Sequence, residues 1–118
     1  MGELVEINQK RNFTLAEAKQ LLPVIQRITK GAHEEVMQLT TQLSWTENPE
    51  RKAELEERVQ ALFEQWQRKV RKLGCEAKGM WLVDFDSGDG YYCWHFPESE
   101  VGYFHGYAEG FRGRKKVH

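Results

Sequence analysis

From Leu15 onward, apolar side chains recur three and four positions apart, at Ala18, Leu22, Ile25, Ala32, Val36, Leu39 and Leu43, with Thr29 filling the one gap. That spacing gathers them on one helical face and asks for another helix beside it. Thr14 and Glu17 supply a capping box, so the helix is predicted to begin at about Leu15. Pro23 removes an i to i−4 hydrogen bond and Gly31 costs about 1 kcal/mol against alanine, which predicts a kink or restart around Leu22 and Pro23, then a long helix to about Leu43. Asn48 and Pro49 have the residue types of an N-cap and a first-turn proline. The helix they open would bury Leu55, Val59, Leu62, Phe63, Trp66, Val70 and Leu73, and would stop at Gly74 behind the cations Arg71 and Lys72. A link of about five to six residues folds the two helices into an antiparallel hairpin.

After Gly79 the period changes to two. Met80, Leu82 and Asp84 alternate with Trp81, Val83 and Phe85, and the DSGDG run reverses the chain into Tyr91 to Phe96. On that second strand Tyr91, Cys93 and His95 point one way and Tyr92, Trp94 and Phe96 the other. Pro97 ends it, PESE turns the chain, and Val101 to His105 reads as a third strand. The predicted fold class is α+β: a long antiparallel helical hairpin over about 15–73, followed by a small three-stranded antiparallel sheet within a C-terminal segment of about 79–118. The ring-rich face of that sheet needs cover, and the hairpin is the cover at hand. A length of 118 residues fits one domain, 1–118.

Composition sharpens the picture in the last forty positions, which hold ten of the fourteen aromatic residues and seven of the ten glycines. Charge nearly cancels, 17 basic against 18 acidic residues, so no whole-surface attraction draws the chain to nucleic acid or an anionic membrane. Locally it does not cancel: residues 84–109 carry six acidic groups and no lysine or arginine, whereas Arg112, Arg114, Lys115 and Lys116 crowd the end. Cys75 and Cys93 have neither CxxC nor metal-finger spacing; a disulfide between them is open but is not needed at this length. The start, MGELVEINQKRNF, has no apolar leader core and no membrane-spanning run, and Gly2 lacks the downstream Ser or Thr of a myristoylation signal, so a cytoplasmic location is the default expectation.

The words FTLAEAKQLLP at Phe13 to Pro23, LVDF at Leu82 to Phe85, CW at Cys93 and Trp94, then Glu98, His105, and GFRGR at Gly110 to Arg114 stand in a characteristic order. In these words, over nearly the whole chain, the sequence resembles the small bacterial domain-of-unknown-function family 2203. Members usually follow the DF of LVDF with proline, where Asp86 stands here. They have a Gly-Glu step where Pro97 and Glu98 stand, and a Trp-His pair where Phe104 and His105 stand; beyond the arginine they run through one residue to a proline, where this chain has Lys115 and Lys116. The resemblance implies a common fold unit and marks positions. It implies no reaction.

Asp84, His95, Glu98 and His105 offer the nitrogen and oxygen donors of a zinc, manganese or iron site, although no HxH or HExxH spacing joins them. The same residues read equally as anchors, with Asp84 holding the hairpin turn and the histidines bonding the sheet. A histidine-carboxylate pair would also serve as a general base. Cys93 as a nucleophile beside His95 meets a distance problem, since two positions along a strand span about 7 Å. Phe111, between two glycines, would plug into the sheet, and Arg112 and Arg114 would pair with Asp84, Glu98 or Glu109. The structural or ligand-facing cluster is thus Asp84, Cys93, Trp94, Glu98, His105, Arg112 and Arg114. No cofactor is predicted beyond a candidate divalent metal.

Three function classes follow. The first is a non-enzymatic cytoplasmic interaction module, because a hairpin of about 30 Å or more leaves an apolar face that so small a sheet covers only in part. Its cheapest partner is a second copy, giving a homodimer, with a heterologous protein as the alternative. The second is a metal-dependent or histidine-assisted hydrolase using Asp84, His95, Glu98 and His105. The third, binding of single-stranded nucleic acid on Trp81, Tyr92, Trp94, Tyr103 and Phe104, is opposed by the acidic stretch beside them.

Overall fold

The structure, a computed structural model, describes residues 12–117. The readings of the N-terminal run and Gly2 fall outside these residues. Helix α1, Leu15–Trp45, starts where Thr14 Oγ1 accepts the Glu17 amide (3.1 Å) and the Glu17 carboxylate accepts the Thr14 amide (2.9 Å). It runs unbroken through Pro23, so the expected restart does not occur. Helix α2, Pro49–Lys72, opens under Asn48, whose side chain accepts the amides of Glu50 and Arg51. Because α1 runs on to Trp45, the link is only Thr46, Glu47 and Asn48, shorter than predicted. After Lys72 the chain leaves the helix through Gly74 at φ 90°, a left-handed conformation that suits glycine.

Among the described residues the sheet has five strands where the sequence predicted three: β1 Glu76–Gly79, β2 Leu82–Asp86, β3 Tyr91–His95, β4 Tyr103–His105 and β5 Lys115–Lys116, each antiparallel to the next in chain order. The two extra strands are the edges. Met80 and Trp81 belong to the β1–β2 turn rather than to a strand, and Trp81 adopts φ 64°. A bulky residue in that region is strained. Its ring is held by edge contacts to Trp66 at 5.0 Å, Phe63 at 5.8 Å and His33 at 5.9 Å.

One face of the sheet packs on the hairpin. Val83, Phe85 and Trp94 are fully buried there with Ala18, Leu22 and Ile25 of α1 and Trp66 and Val70 of α2. Phe13, ahead of α1, meets Phe85 edge-on at 5.5 Å and donates its amide to the Asp86 carbonyl. Alternation then sends Asp84, Cys93 and His105 to the opposite face. Instead of meeting water, they lie buried under the returning segment of residues 106–117. Cys75 and Cys93 are both buried, and no disulfide joins them.

Candidate functional site

Strand register assembles the outer-face cluster. Asp84 pairs with Cys93, Cys93 with Tyr103, and Tyr91 with His105, so three adjacent strands deliver an aspartate, a cysteine and a histidine to one spot. Candidate ligand atoms of Asp84, Cys93 and His105 all lie within 4.8 Å of one another, and all three residues are buried. His105 Nε2 stands 3.1 Å from Asp84 Oδ2, and its Nδ1 stands 3.0 Å from the Gly106 carbonyl. A carbonyl only accepts, so Nδ1 carries the proton and donates it. Nε2 therefore faces the carboxylate with a lone pair unless a further proton, or a cation, lies between them.

Asp84 has a second unbalanced atom. Its Oδ1 is buried with no hydrogen-bond partner of good geometry among the described residues, and the thiol of Cys93 gives the carboxyl only a weak bond. Burial pushes the Asp84 carboxyl above its ordinary range, a rise that the His105 and Cys93 bonds and the Lys78 charge only partly oppose. Burial, with the Asp84 charge behind it, also pushes the Cys93 thiol up to about 12. A buried thiol held in its protonated form is a poor nucleophile.

Arg114 continues the cluster. Its guanidinium forms a fork with Glu98, at 2.9 Å to Oε2 and 3.1 Å to Oε1, and reaches Cys93 Sγ at 3.9 Å. The same group lies over the rings of Tyr103 and Phe111, 3.9 and 4.0 Å from their centroids. Glu98 Oε1 also accepts the His95 amide at 2.8 Å, and Trp94 Nε1 donates to the Glu98 carbonyl at 2.8 Å. Glu98 thus spends its carboxylate on Arg114 and the backbone.

The predicted ligand set is therefore divided. Asp84 and His105 meet, but Glu98 serves Arg114, and His95 packs edge-on against Phe111 at 5.4 Å. His95 lies four residues along β3 from Tyr91, the partner of His105, a displacement of about 13 Å along the strand that no single metal bridges. Cys93 takes the place given to His95. The expected anchoring of the hairpin turn falls to Asp86, which accepts the Gly88 amide at 2.9 Å, while Asp84 sits in mid-strand. Phe111 remains partly exposed beneath Arg114, rather than plugged into the core, and Arg112 is exposed beyond the cluster. Trp81 and Trp94 are core residues and are unavailable for stacking on bases.

A pocket of 330 Å³ opens beside Asp84 and His105, walled by Lys78, Tyr91, Tyr107 and Phe111. Tyr107 donates its hydroxyl to Asp86 Oδ1 at 2.6 Å, and that bond holds its phenol up to about 12. Among the described residues no helix is long and apolar enough to cross a membrane. The model of a family described as "Uncharacterized conserved protein (DUF2203)" matches residues 11–117. No curated protein and no solved structure gives a match.

Proposed function

The chain belongs to the DUF2203 family, whose description names no reaction, and we propose that it is a non-enzymatic interaction module that pairs with a second copy through its helical hairpin. The observation that carries this reading is Gly31. It sits in the interior of α1, where glycine costs about 1 kcal/mol against alanine, yet a Cβ added there would meet nothing within 4 Å. No neighbour among the described residues requires the missing side chain. A helix from another molecule would, because small residues let two helix backbones approach closely.

The surroundings suit such a partner. Gly31 borders a hollow of 230 Å³ between the helices, which shares Glu35, Leu62 and Gln65 with a second hollow of 460 Å³ farther along. Arg27 and Lys69 flank the first, Arg58 and Arg68 the second, and Glu35 lies in both. A two-fold partner set off along this groove brings Glu35 of each copy against a cation of the other, and such a pairing is complementary in both directions. Among the described residues, ring contacts tie the sheet to the hairpin at His33 and Phe63, through Trp81 and Phe96, and the helices run on past them to Trp45 and back from Pro49.

Sedimentation equilibrium tests the proposal. The expected mass is twice 13.9 kDa for the native chain. A Gly31→Leu variant, which improves helix propensity and fills the groove, is expected to be folded, at least as heat-stable within the monomer, and monomeric. A native chain of 13.9 kDa at every concentration, or a Gly31→Leu variant that dimerises as well as the native chain, overturns it.

A further inference from the structure

We propose that Asp84, Cys93 and His105 form a binding site for one zinc-like divalent cation, independent of the hairpin pairing. Three features of the cluster point the same way. First, the proton of His105 is committed to the Gly106 carbonyl, leaving Nε2 as the free donor. A histidine oriented by a hydrogen bond from its other nitrogen is the usual arrangement at a metal. Second, that lone pair faces a carboxylate oxygen at 3.1 Å, and the carboxylate's other oxygen is buried without a good partner. Two acceptors facing each other in a buried place repel unless a positive centre joins them. Third, a thiol, an imidazole and a carboxylate converge within 4.8 Å.

Bond lengths agree with the size of the cluster. Zinc bonds of about 2.0 to 2.3 Å place ligand atoms roughly 3.3 to 3.8 Å apart around a tetrahedral ion, so closing this set needs side-chain shifts on the order of 1 Å. The donor types select the metal. A thiolate with imidazole favours zinc or ferrous iron over manganese, which prefers all-oxygen sites. Charge closes as well, because a divalent cation with one thiolate, one carboxylate and one neutral imidazole is neutral, and a neutral assembly tolerates burial.

Binding releases the Cys93 proton to solvent, and the thiolate so formed gains the metal bond along with the Arg114 N–H at 3.9 Å. Glu98 positions that guanidinium through its fork, which makes it a positioning residue and not a ligand. Three protein ligands leave a fourth position for water, and the 330 Å³ pocket that Asp84 and His105 line gives solvent a route to it.

The test uses the whole chain stripped with chelator, then titrated with zinc(II) against a chromophoric competitor and, separately, with cobalt(II). One equivalent of zinc is expected, together with a near-ultraviolet thiolate-to-cobalt charge-transfer band and a rise in melting temperature on zinc addition. Cys93→Ser is expected to abolish the band and weaken zinc binding more than about 100-fold, beyond what loss of an outer partner costs. His95→Ala is expected to bind as the native chain does. Asp84→Asn and His105→Ala are read only where circular dichroism shows them folded; Cys93→Ser, a near-isosteric change, decides the matter if they are not. Absence of stoichiometric zinc, absence of the charge-transfer band, or equal binding by Cys93→Ser each overturns the site. Loss of binding in His95→Ala with retention in Cys93→Ser would move the site elsewhere and overturn it equally.

Discussion

Trp66 Nε1 donates a 2.8 Å hydrogen bond to Thr29 Oγ1 across the hairpin, and both side chains are buried. The pair explains why a threonine interrupts the apolar stripe of α1: it faces the buried indole of α2, whose N–H needs an acceptor. It also fixes the register of α1 against α2, because no other position on the stripe offers an oxygen.

Thr29→Val keeps the shape and removes the acceptor, leaving a buried indole N–H unpaired. We expect a loss of about 1 to 3 kcal/mol, read as a lower denaturant midpoint with an unchanged slope. Thr29→Ser restores the hydroxyl and should recover part of that loss, limited by the missing methyl group. A valine variant as stable as the native chain would mean that the indole finds another partner.

The raised Cys93 thiol makes the metal-free protein sensitive to alkali. Above its ordinary value of 9.0 the unfolded chain gives up this proton, while the folded chain keeps it until about 12. The folded state then binds more protons, so the stability due to this group is fully present below pH 9.0 and drains away up to about 12. The slope is at most about 1.4 kcal/mol per pH unit. Denaturant melts of native chain and Cys93→Ser over that range should converge as pH rises, since serine does not ionise. At neutral pH a thiol-specific chromogenic reagent should label Cys93 only as fast as the protein unfolds.

Much of this architecture was written in local chemistry. Thr14 with Glu17 and Asn48 with Pro49 mark helix starts through hydrogen bonds made within three residues, and such signals depend on nothing distant. The shift of period at Gly79 likewise announced the sheet. The edges carried no such mark: β1 reads EAKG, and β5 is two lysines on the rim, where only one neighbour pairs and alternation is not enforced. Gly31 was legible as a local cost but not as an open surface, because what a Cβ would meet is a property of the whole fold. The cluster was half legible for the same reason. Asp84 and His105 stood out by residue type, but their third neighbour depends on which residue of β3 lies opposite Asp84, and the pairing puts Cys93 there. His95 shares its face two positions away, about 7 Å along the strand. The one signal available in advance was that shared face, which marked Cys93 as strongly as His95.

Gly90 closes the β2–β3 turn where two strands meet a third. A Cβ there would stand 2.5 Å from Phe104 Cζ and 2.7 Å from the His105 carbonyl oxygen. The ring end could swing aside; the carbonyl belongs to the β4 backbone and cannot move without disturbing the His105 side chain above it. Gly90→Ala is therefore expected to cost about 1 to 3 kcal/mol in melts. Gly79→Ala, whose Cβ would meet nothing within 4 Å, is the control that should leave stability nearly unchanged. Equal melting of the two variants would show that the β3–β4 contact is loose.

Arg114 secures the segment that covers the outer face. Its guanidinium spends both branches on Glu98, lies over Tyr103 and Phe111, and is mostly buried, at 12% side-chain exposure. Lysine keeps the charge but loses the fork and the flat stacking surface, so Arg114→Lys is not conservative here. The helices and β2 make their contacts without it, and the consequence should be local. We expect the amide of Val117, which donates to the Gly102 carbonyl at 2.9 Å, to lose hydrogen-exchange protection by about 10-fold or more, while amides in the middle of α1 and α2 exchange as before. Glu98→Gln should produce the same local pattern in weaker form, since an amide keeps one acceptor of the two. Uniform loss of protection across the helices in Arg114→Lys would show instead that the covering segment and the hairpin unfold as one unit, and that Arg114 holds the whole fold rather than its outer layer.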